Sequence, residues 1–425
     1  MKRILSIITI LFLGFLASTT TYAQDRFPRP DFESGYQYPA THYAIPNETL
    51  WLFVDVFLLV LMMGIVAWAV IRKRTRKPVF WVSVISVAYF GFFRSGCVCS
   101  IGSVQNVALA LADKSYTIPL AALLFFILPI LFTFLFGRVF CAGVCPMGAL
   151  QELVNVKNYR IPRSVSAVLG IFPWIYLFLA ILYAITRTGF IICRFDPFIG
   201  IFRLSGDIGL LIFGALLLLV AVFTGRPFCR FMCPYGALLN LFSRVSIWRA
   251  KITPSCINCE LCHKACPVDA IRAPYNNKVK ESRVQGVKRV LLYTIFLPVM
   301  VTVAALMMRS MSDSISRANN DVRLYDMVQG EATPKDHPVP ELESFYGAGG
   351  TVVELKERVD VILADFKLYA TFAGGLIGLV IGLTLLGLSV KRSRKSYEMD
   401  DAQCVNCARC FSYCPQNKII ENKIQ

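Results

Sequence analysis

The chain has 425 residues, 56% of them hydrophobic, and its mean hydropathy of +0.57 excludes an ordinary water-soluble enzyme of this length. Its formal net charge is +17, yet the basic residues cluster beside apolar stretches. A positive-inside membrane orientation therefore explains the excess better than nucleic-acid binding does. The three histidines, His42, His263 and His337, lie outside every predicted span, which excludes a bis-histidine haem within the membrane and a zinc–histidine site.

The N-terminal region precedes the first apolar span. Residues 1–23 have the pattern of a secretory signal peptide, with a basic start, an apolar core and a predicted cleavage site at Thr21-Tyr22-Ala23. Residues 24–49 are rich in proline and aromatic side chains, and we expect them to form an irregular periplasmic segment.

The sequence predicts an all-α polytopic membrane protein with about seven transmembrane helices. Basic runs at 72–77 and 391–395 follow the first and last spans and place both of those ends in the cytoplasm of a bacterial inner-membrane protein. Residues 50–248 form the predicted transmembrane core. The predicted spans are about 50–71, 79–93, 119–136, 167–185, 208–223, 290–307 and 369–390, with a half-helix at 101–112.

An internal repeat lies within this core, in which residues 137–150 match residues 225–238. Each copy contains Gly-Arg followed by Cys-x-x-x-Cys-Pro, and broken helices at matching places in two halves point to a site at the repeat interface. Proline suits the first position of a helix, so the second cysteine of each copy is predicted at a helix N-terminus, where the dipole lowers a thiol pKa. The repeat contributes the cysteines Cys141, Cys145, Cys229 and Cys233.

These four cysteines are predicted to form a redox or metal site, although two dithiol pairs or plain packing are alternatives. Three further cysteines, Cys97, Cys99 and Cys193, lie near the outer ends of the same spans. They are weaker candidates for the same chemistry, because a free cysteine is often a small buried hydrophobic residue.

Two longer cysteine runs carry the strongest signal. Each has the spacing Cys-x-x-Cys-x-x-Cys-x-x-x-Cys-Pro, which in bacterial-type ferredoxins holds [4Fe–4S] clusters with the fourth cysteine bound to the other cluster. The spacing predicts two clusters, and a zinc site or a redox dithiol is the less favoured interpretation. One ligand set is Cys256, Cys259, Cys262 and Cys414, and the other is Cys404, Cys407, Cys410 and Cys266.

The two runs are separated by a predicted transmembrane hairpin. Residues 249–289 form the first half of a cytoplasmic ferredoxin-like module, residues 290–390 form the hairpin, and residues 391–425 form the second half. Because each cluster draws ligands from both halves, we expect cluster binding and docking of the C-terminal tail to be one event.

The hairpin carries a periplasmic insert at about 310–367, which is rich in acidic residues. Its glycine-rich stretch, Gly347 to Thr351, precedes a helical segment. Such a turn can hold a flavin phosphate, but an ordinary helix-start loop is the favoured interpretation. The acidic face is predicted either to dock a basic partner or to be solvated.

In combination, the paired Cys-x-x-x-Cys-Pro motifs and the ferredoxin runs resemble the membrane polyferredoxins of the NapH/NosR type. The resemblance covers about residues 92–271 and 404–415. It implies that the eight cysteines of the ferredoxin runs are cluster ligands. It also implies that electrons pass between the cytoplasm or quinone pool and a periplasmic respiratory partner of the nitrate or nitrous-oxide type. The chain lacks the large periplasmic flavin-binding domain of the full NosR pattern.

Two functions follow as expectations. The first is membrane electron transfer, in which the repeat interface provides a further centre as metal, cluster, bound quinone or bound flavin. The alternative is an accessory protein for maturation of a periplasmic metalloenzyme, which moves reducing equivalents or copper. Electron transfer is favoured because the eight ferredoxin cysteines serve it directly.

Overall fold

A computed structural model describes residues 49–96, 99–253, 255–275, 283–329, 345–346, 350–390, 394 and 396–417. The predicted signal peptide and most of the periplasmic segment lie outside the described residues, as do Cys97 and the middle of the insert. Within the described residues the fold is mostly helical, as predicted, with one small two-stranded sheet.

The helices follow one another in chain order, and three π-helical turns interrupt or extend them. The helices are α1 (Thr49–Trp68), α2 (Lys77–Ser86), α3 (Ser100–Ala112), α4 (Leu120–Phe136), α5 (Pro146–Val154), α6 (Arg163–Leu169), α7 (Phe172–Ile185), α8 (Ile191–Arg194), α9 (Pro197–Arg203), α10 (Ile208–Phe223), α11 (Pro227–Phe231), α12 (Pro234–Ser243), α13 (Leu261–Ala265), α14 (Arg283–Ser310), α15 (Ser312–Ser316), α16 (Asn320–Gln329), α17 (Val352–Ser389) and α18 (Arg409–Tyr413). The π-helical turns are Ala69–Lys73, Val87–Phe93 and Phe140–Val144, and the strands are β1 (Ile271–Arg272) and β2 (Glu398–Met399).

Four helical stretches are long and apolar enough to cross a membrane: Trp51–Lys73, Arg163–Ile185, Val284–Ser310 and Val352–Ser389. The pair α9 and α10, bent by 101° at its break, adds a fifth if it counts as one span. The predicted spans at 79–93 and 119–136 are helical but shorter than spanning length. Helix length and composition therefore support a multi-pass membrane protein with four to five candidate spans.

The last helix differs from its prediction, because α17 has 38 residues and begins at Val352 rather than near residue 369. Its charged first half falls within the predicted insert. The structure continues the helix there because Leu355, Val359 and Phe366 recur on one face and are 0%, 1% and 0% exposed. Burial of this apolar stripe outweighs the surrounding charge.

The hairpin of α14 and α17 packs through small residues. Gly374, Gly378 and Gly382 recur every fourth residue on α17, and a Cβ on Gly374 or Gly378 would lie 2.5 Å from a backbone carbonyl oxygen of α14. Glycine at this spacing lets two helix backbones approach closely, which is how membrane helices commonly associate.

The two halves of the ferredoxin-like module pack together although the hairpin separates them in sequence. Strands β1 and β2 pair antiparallel, with Ile271 opposite Met399 and Arg272 opposite Glu398. Helix α13 of the first half lies against α18 of the second. Both halves also contact the helical core, where Asn406 donates to the carbonyl of Phe136 at 2.8 Å.

Candidate functional site

The eight cysteines of the ferredoxin-like module line two separate cavities. Each cavity takes three cysteines from one half of the module and the fourth from the other half. The first, which we name the buried cavity, is lined by Cys266, Cys404, Cys407 and Cys410. The second, the exposed cavity, is lined by Cys256, Cys259, Cys262 and Cys414, with Cys410 also at its wall.

The backbone of each cysteine run is shaped by two residues in the left-handed region. Asn258 and Asn406 have φ of 54° and 51°, and Glu260 and Ala408 have φ of 64° and 57°. Asparagine tolerates this region better than most residues, since its short polar side chain bonds locally. The two left-handed turns curl the chain around the space that the thiols line.

Burial makes several of these thiols harder to deprotonate. It raises the pKa of Cys262 and of Cys266 to about 11 and raises the pKa of Cys410 well above its ordinary value. Binding of iron must therefore release protons from the site.

The donor set is all sulfur, which suits iron–sulfur clusters and zinc. Among the described residues, no group of three or more His, Cys, Asp or Glu side chains is arranged to hold a metal ion. Four cysteines that surround a cavity, rather than converge on one point, fit a [4Fe–4S] cluster better than a single zinc ion. The residues present therefore fit the cluster that the sequence predicts.

The four repeat cysteines, Cys141, Cys145, Cys229 and Cys233, lie close together, and we name them the repeat site. Cys145 and Cys233 are the N-cap residues of α5 and α12, each followed by proline at the first helical position, as predicted. Cys233 Sγ accepts a hydrogen bond from the Gly236 amide at 3.2 Å. Cys145 interacts electrostatically with Cys141 and Cys229. Cys233 interacts in the same way with all three.

The predicted lowering of the thiol pKa at these helix N-termini is wrong. Burial raises the pKa of both Cys145 and Cys233 well above the ordinary value, while the amides of Gly148 and Gly236 act in the opposite direction with smaller effect. Desolvation outweighs the helix dipole here, because these thiols are enclosed by the packed halves of the repeat.

Gln151 fastens one copy of the repeat to the other. Its Oε1 accepts from the Phe228 amide at 3.0 Å, and its Nε2 donates to Cys229 Sγ at 3.4 Å. Gly148 faces the same contact, since a Cβ there would lie 3.5 Å from Cys229 Sγ. The repeated Gly-Ala-Leu sequence after each Cys-Pro therefore allows the two copies to pack closely.

Two arginines, Arg138 and Arg226, connect the repeat site to the buried cavity. Arg226 is fully buried and donates to the carbonyls of Cys141 and Ala142, the latter at 2.6 Å. Arg138 donates to the Ala402 carbonyl at 3.2 Å. The two arginines also interact electrostatically with cysteines of the buried cavity, Arg226 with Cys407 and Arg138 with Cys404.

The sequence alone does not predict a role for these arginines. A sequence signal is present, because each repeat copy begins with Gly-Arg. In the structure, each of these glycines lies against one half of the module. A Cβ on Gly137 would lie 2.8 Å from Asn406 Nδ2, and a Cβ on Gly225 would overlap Pro267.

Glu152 is a buried carboxylate that joins three parts of the chain. It is 6% exposed and pairs with Arg76 at 3.0 Å, with Arg226 at 3.1 Å and with Arg409 at 3.2 Å. Arg76 follows the first span, Arg226 belongs to the second repeat copy, and Arg409 lies between Cys407 and Cys410. This network locks the C-terminal half of the module onto the core, and sequence reasoning missed it because the partners are far apart in the chain.

The remaining predicted residues are more scattered. Cys97 lies outside the described residues, Cys99 is the half-buried N-cap of α3, and Cys193 is exposed in α8. In the insert, Thr351 caps α17 by accepting from the Glu354 amide at 3.4 Å. This geometry is that of an ordinary helix start.

Comparisons with known proteins identify the same regions. A family model described as a 4Fe-4S binding domain matches residues 118–162 and 207–254, and a second 4Fe-4S binding domain model matches residues 251–272. An uncharacterized protein of Methanocaldococcus jannaschii is 30% identical over 208 residues, which are 47% of this chain and 74% of that protein.

Two further relatives carry descriptive names. The regulatory protein NosR of Stutzerimonas stutzeri is 29% identical over 208 residues, 44% of this chain and 28% of the relative. The putative electron transport protein YccM of Escherichia coli is 28% identical over 186 residues, 39% of this chain and 52% of the relative. No solved structure matches the chain.

Proposed function

Because the chain belongs to the family of membrane polyferredoxins with 4Fe-4S binding domains that includes NosR, we propose that it is a membrane-bound iron–sulfur electron-transfer protein. The observation that carries this proposal is the pair of cavities, one lined by four cysteines and the other by five, each drawn from both halves of the module. A bound [4Fe–4S] cluster supplies one-electron transfer.

The ligands of one cluster are Cys256, Cys259, Cys262 and Cys414, and those of the other are Cys404, Cys407, Cys410 and Cys266. All four members of each set line one cavity, and Cys410 also reaches the wall of the exposed cavity. The arrangement makes docking of the C-terminal tail a condition for both clusters, since each half of the module contributes ligands to both.

The proposed topology has seven crossings, with the cluster module in the cytoplasm. Support comes from the candidate spans together with the shorter apolar helices Lys77–Phe93 and Leu120–Phe136. The basic residues that follow α1 and α17 in sequence favour the cytoplasmic side for those ends. The proposed two-fold repeat is supported by one family model that matches both halves of the core.

The proposed path runs from the module into the membrane helices. The hydrocarbon core is about 30 Å thick, which requires a stepping stone between the two faces. The repeat site is suited to that role because Arg138 and Arg226 link it to the buried cavity. We propose a cytoplasmic or quinone donor and a periplasmic reductase system of the nitrate or nitrous-oxide type as the acceptor, on the strength of the family resemblance.

The cluster assignment is tested by replacing the two cysteines that each bind the cluster of the other run, Cys266 and Cys414. Cys266→Ser and Cys414→Ser are prepared anaerobically, and iron content and the EPR spectrum of the reduced protein are measured for each. The wild type should hold about eight irons in the two sites. Each variant should lose one cluster signal. Cys414→Ser should remove the same signal as Cys259→Ser. Cys266→Ser should remove the same signal as Cys407→Ser. The opposite pairing would show that each run closes on itself, and zinc in place of iron would overturn the proposal.

A further inference from the structure

The segment at Cys99 repeats the construction of the segment at Cys145. Cys99 begins α3 as Cys145 begins α5, with a glycine three residues later and a glutamine six residues later. Gln105 Oε1 accepts from the Ile192 amide at 2.9 Å, just as Gln151 Oε1 accepts from the Phe228 amide at 3.0 Å. Those amides directly precede Cys193 and Cys229. The same glutamine hydrogen bond therefore holds two cysteine-containing segments together in both regions.

The correspondence extends to the next helix. Asp196-Pro197 begins α9, as Cys233-Pro234 begins α12. Asp196 Oδ1 accepts from the Phe198 amide at 2.9 Å, which is the capping role that the Cys233 thiol has toward Gly236. A carboxylate thus occupies the position that a thiol has in the repeat site. We name Cys99, Cys193 and Asp196 the distal site.

The two distal thiols share the first turn of α3. Gly102 lies in that turn, three residues after the N-cap Cys99, and Cys193 Sγ lies 3.0 Å from the place where a Cβ on Gly102 would be. Glycine at position 102 is what admits the second sulfur. Cys99 is half-buried and Cys193 is exposed, so one thiol of the pair is open to reaction with an external group.

Asp196 supplies the second observation, because its carboxylate is buried and incompletely satisfied. The residue is 5% exposed, and within the described structure Oδ2 has no hydrogen-bond partner. Asp196 interacts electrostatically with both Cys99 and Cys193. A buried carboxylate without a second partner is stabilised when it takes up a proton, which places a proton donor beside the two thiols.

The distal site adjoins the repeat site. Cys99 interacts electrostatically with Cys145, and Tyr176 interacts with Asp196 and Cys193 on one side and with Cys233 on the other. Two thiols, one of them exposed, with a carboxylate beside them are the groups that a dithiol/disulfide couple needs.

We propose that Cys99 and Cys193 form a redox-active dithiol in which Asp196 transfers a proton. Reduction breaks the S–S bond of the oxidised pair and consumes two electrons and two protons to give two S–H groups. One proton comes from Asp196 and the other from solvent at the exposed Cys193. Reoxidation transfers both electrons and both thiol protons to a partner disulfide by thiol–disulfide exchange at Cys193, which releases two thiols on the partner, and Asp196 regains its proton from solvent. The electron supply through the clusters rests on the proposed function, whereas formation of the disulfide does not.

Disulfide formation is tested on the full chain in nanodiscs with its iron in place. The chain is treated with diamide, free thiols are blocked with N-ethylmaleimide, and linked peptides are identified by mass spectrometry. We expect a Cys99–Cys193 link in the oxidised chain and two alkylated thiols after reduction with a phosphine. Cys99→Ser should leave Cys193 open to alkylation under both conditions. Absence of the link with iron content unchanged, or a link that uses Cys97 instead, would overturn the inference.

The role of Asp196 is tested by the rate at which dithionite-reduced clusters reduce the link. Asp196→Asn keeps the helix cap and should slow this step about 100-fold, the scale of a lost general acid. Asp207→Asn is the matched control, since Asp207 caps α10 through the Gly209 amide at 2.7 Å and is exposed. An unchanged rate in Asp196→Asn would remove Asp196 from the proposal. A Cys99–Cys193 disulfide that forms and is reduced by phosphine, but is not reduced by the clusters, would contradict the proposed function alone.

Discussion

The two cysteine runs of the module have the same local backbone and different surroundings. Each places an asparagine and a second residue in the left-handed region, continues into a five-residue helix, and ends at an extended cysteine followed by proline. Local sequence is therefore enough to build a cysteine-lined loop. It does not decide what that loop contacts.

The surroundings separate the two runs. Asn406 is 4% exposed and bonds to the core, while the corresponding Asn258 is exposed. Arg409 is buried against Glu152, while the corresponding Leu261 is 45% exposed. The C-terminal run is thus the more deeply docked of the two, while the first run faces outward at Asn258 and Leu261 and contacts the core at Pro267. Under the proposed function, electrons from a soluble donor would meet the exposed cavity first and reach the core through the buried cavity.

Removing the charge of Glu152 should have the largest effect on the docking of the C-terminal run. Glu152→Gln leaves the fully buried Arg226 without its carboxylate, and loss of one partner from a buried ion pair costs about 3–5 kcal/mol. We expect the tail to undock and both clusters to be lost. The measurement is iron content together with the free energy of unfolding in a detergent titration.

The matched control is Glu260→Gln in the outward-facing run. Glu260 pairs with Lys264 at 3.3 Å, and both side chains are more than half exposed, 54% and 67%. An exposed pair of this kind contributes about 0–1 kcal/mol. Equal losses in the two variants would contradict the view that docking, rather than local charge, holds the C-terminal run.

A second effect is expected at Gly225, which packs against Pro267 of the first run. Gly225→Ala would place a Cβ in contact with the Pro267 carbonyl, and overpacking of this kind costs about 1–3 kcal/mol. Because Pro267 follows Cys266, we expect the buried-cavity cluster to be lost before the other. EPR of the reduced variant measures this loss. Gly387→Ala is the control, since nothing lies within 4 Å of a Cβ there, and equal iron loss in both variants would count against the contact.

The features that depend on local sequence were predictable. The prolines at 146 and 234 placed the helix starts that the structure confirms, whereas the ligand sets that the cysteine spacing indicates stay a prediction. Four helices of membrane-spanning length lie in the apolar stretches of the sequence. These features depend on neighbours within one turn or one span.

The features that depend on distant partners were not predictable. The raised pKa of Cys145 and Cys233 follows from enclosure by the opposite repeat copy, which a helix-dipole argument cannot include. The pairing of Glu152 with Arg409 joins residues that are far apart in sequence. The full length of α17 likewise follows from packing of Leu355, Val359 and Phe366 rather than from hydropathy.

The two cavities should also differ in how fast they lose iron to a chelator. Cys259 and Ile257 at the exposed cavity are open to solvent, whereas Cys266 and Val405 at the buried cavity are 9% and 3% exposed. Because the residues around a site control solvent access, we expect iron release in two phases whose rates differ about tenfold. Bathophenanthroline absorbance follows the release. Cys414→Ser should lack the fast phase, and a single phase in the wild type would contradict the difference in enclosure.

The smallest effect isolates one contact by comparing Asn406→Ala with Asn258→Ala. Alanine at either position adopts a left-handed conformation, and the strain of about 1–2 kcal/mol is the same for both. Only Asn406 donates to the Phe136 carbonyl, at 2.8 Å, so only its loss leaves a carbonyl of the core without that donor. We expect the Asn406 variant to be less stable by a further 1 kcal/mol or so, about the net value of one hydrogen bond. Unfolding followed by loss of cluster absorbance measures both variants. If their stabilities are equal, the contact between Asn406 and α4 does not help to hold the C-terminal run on the core.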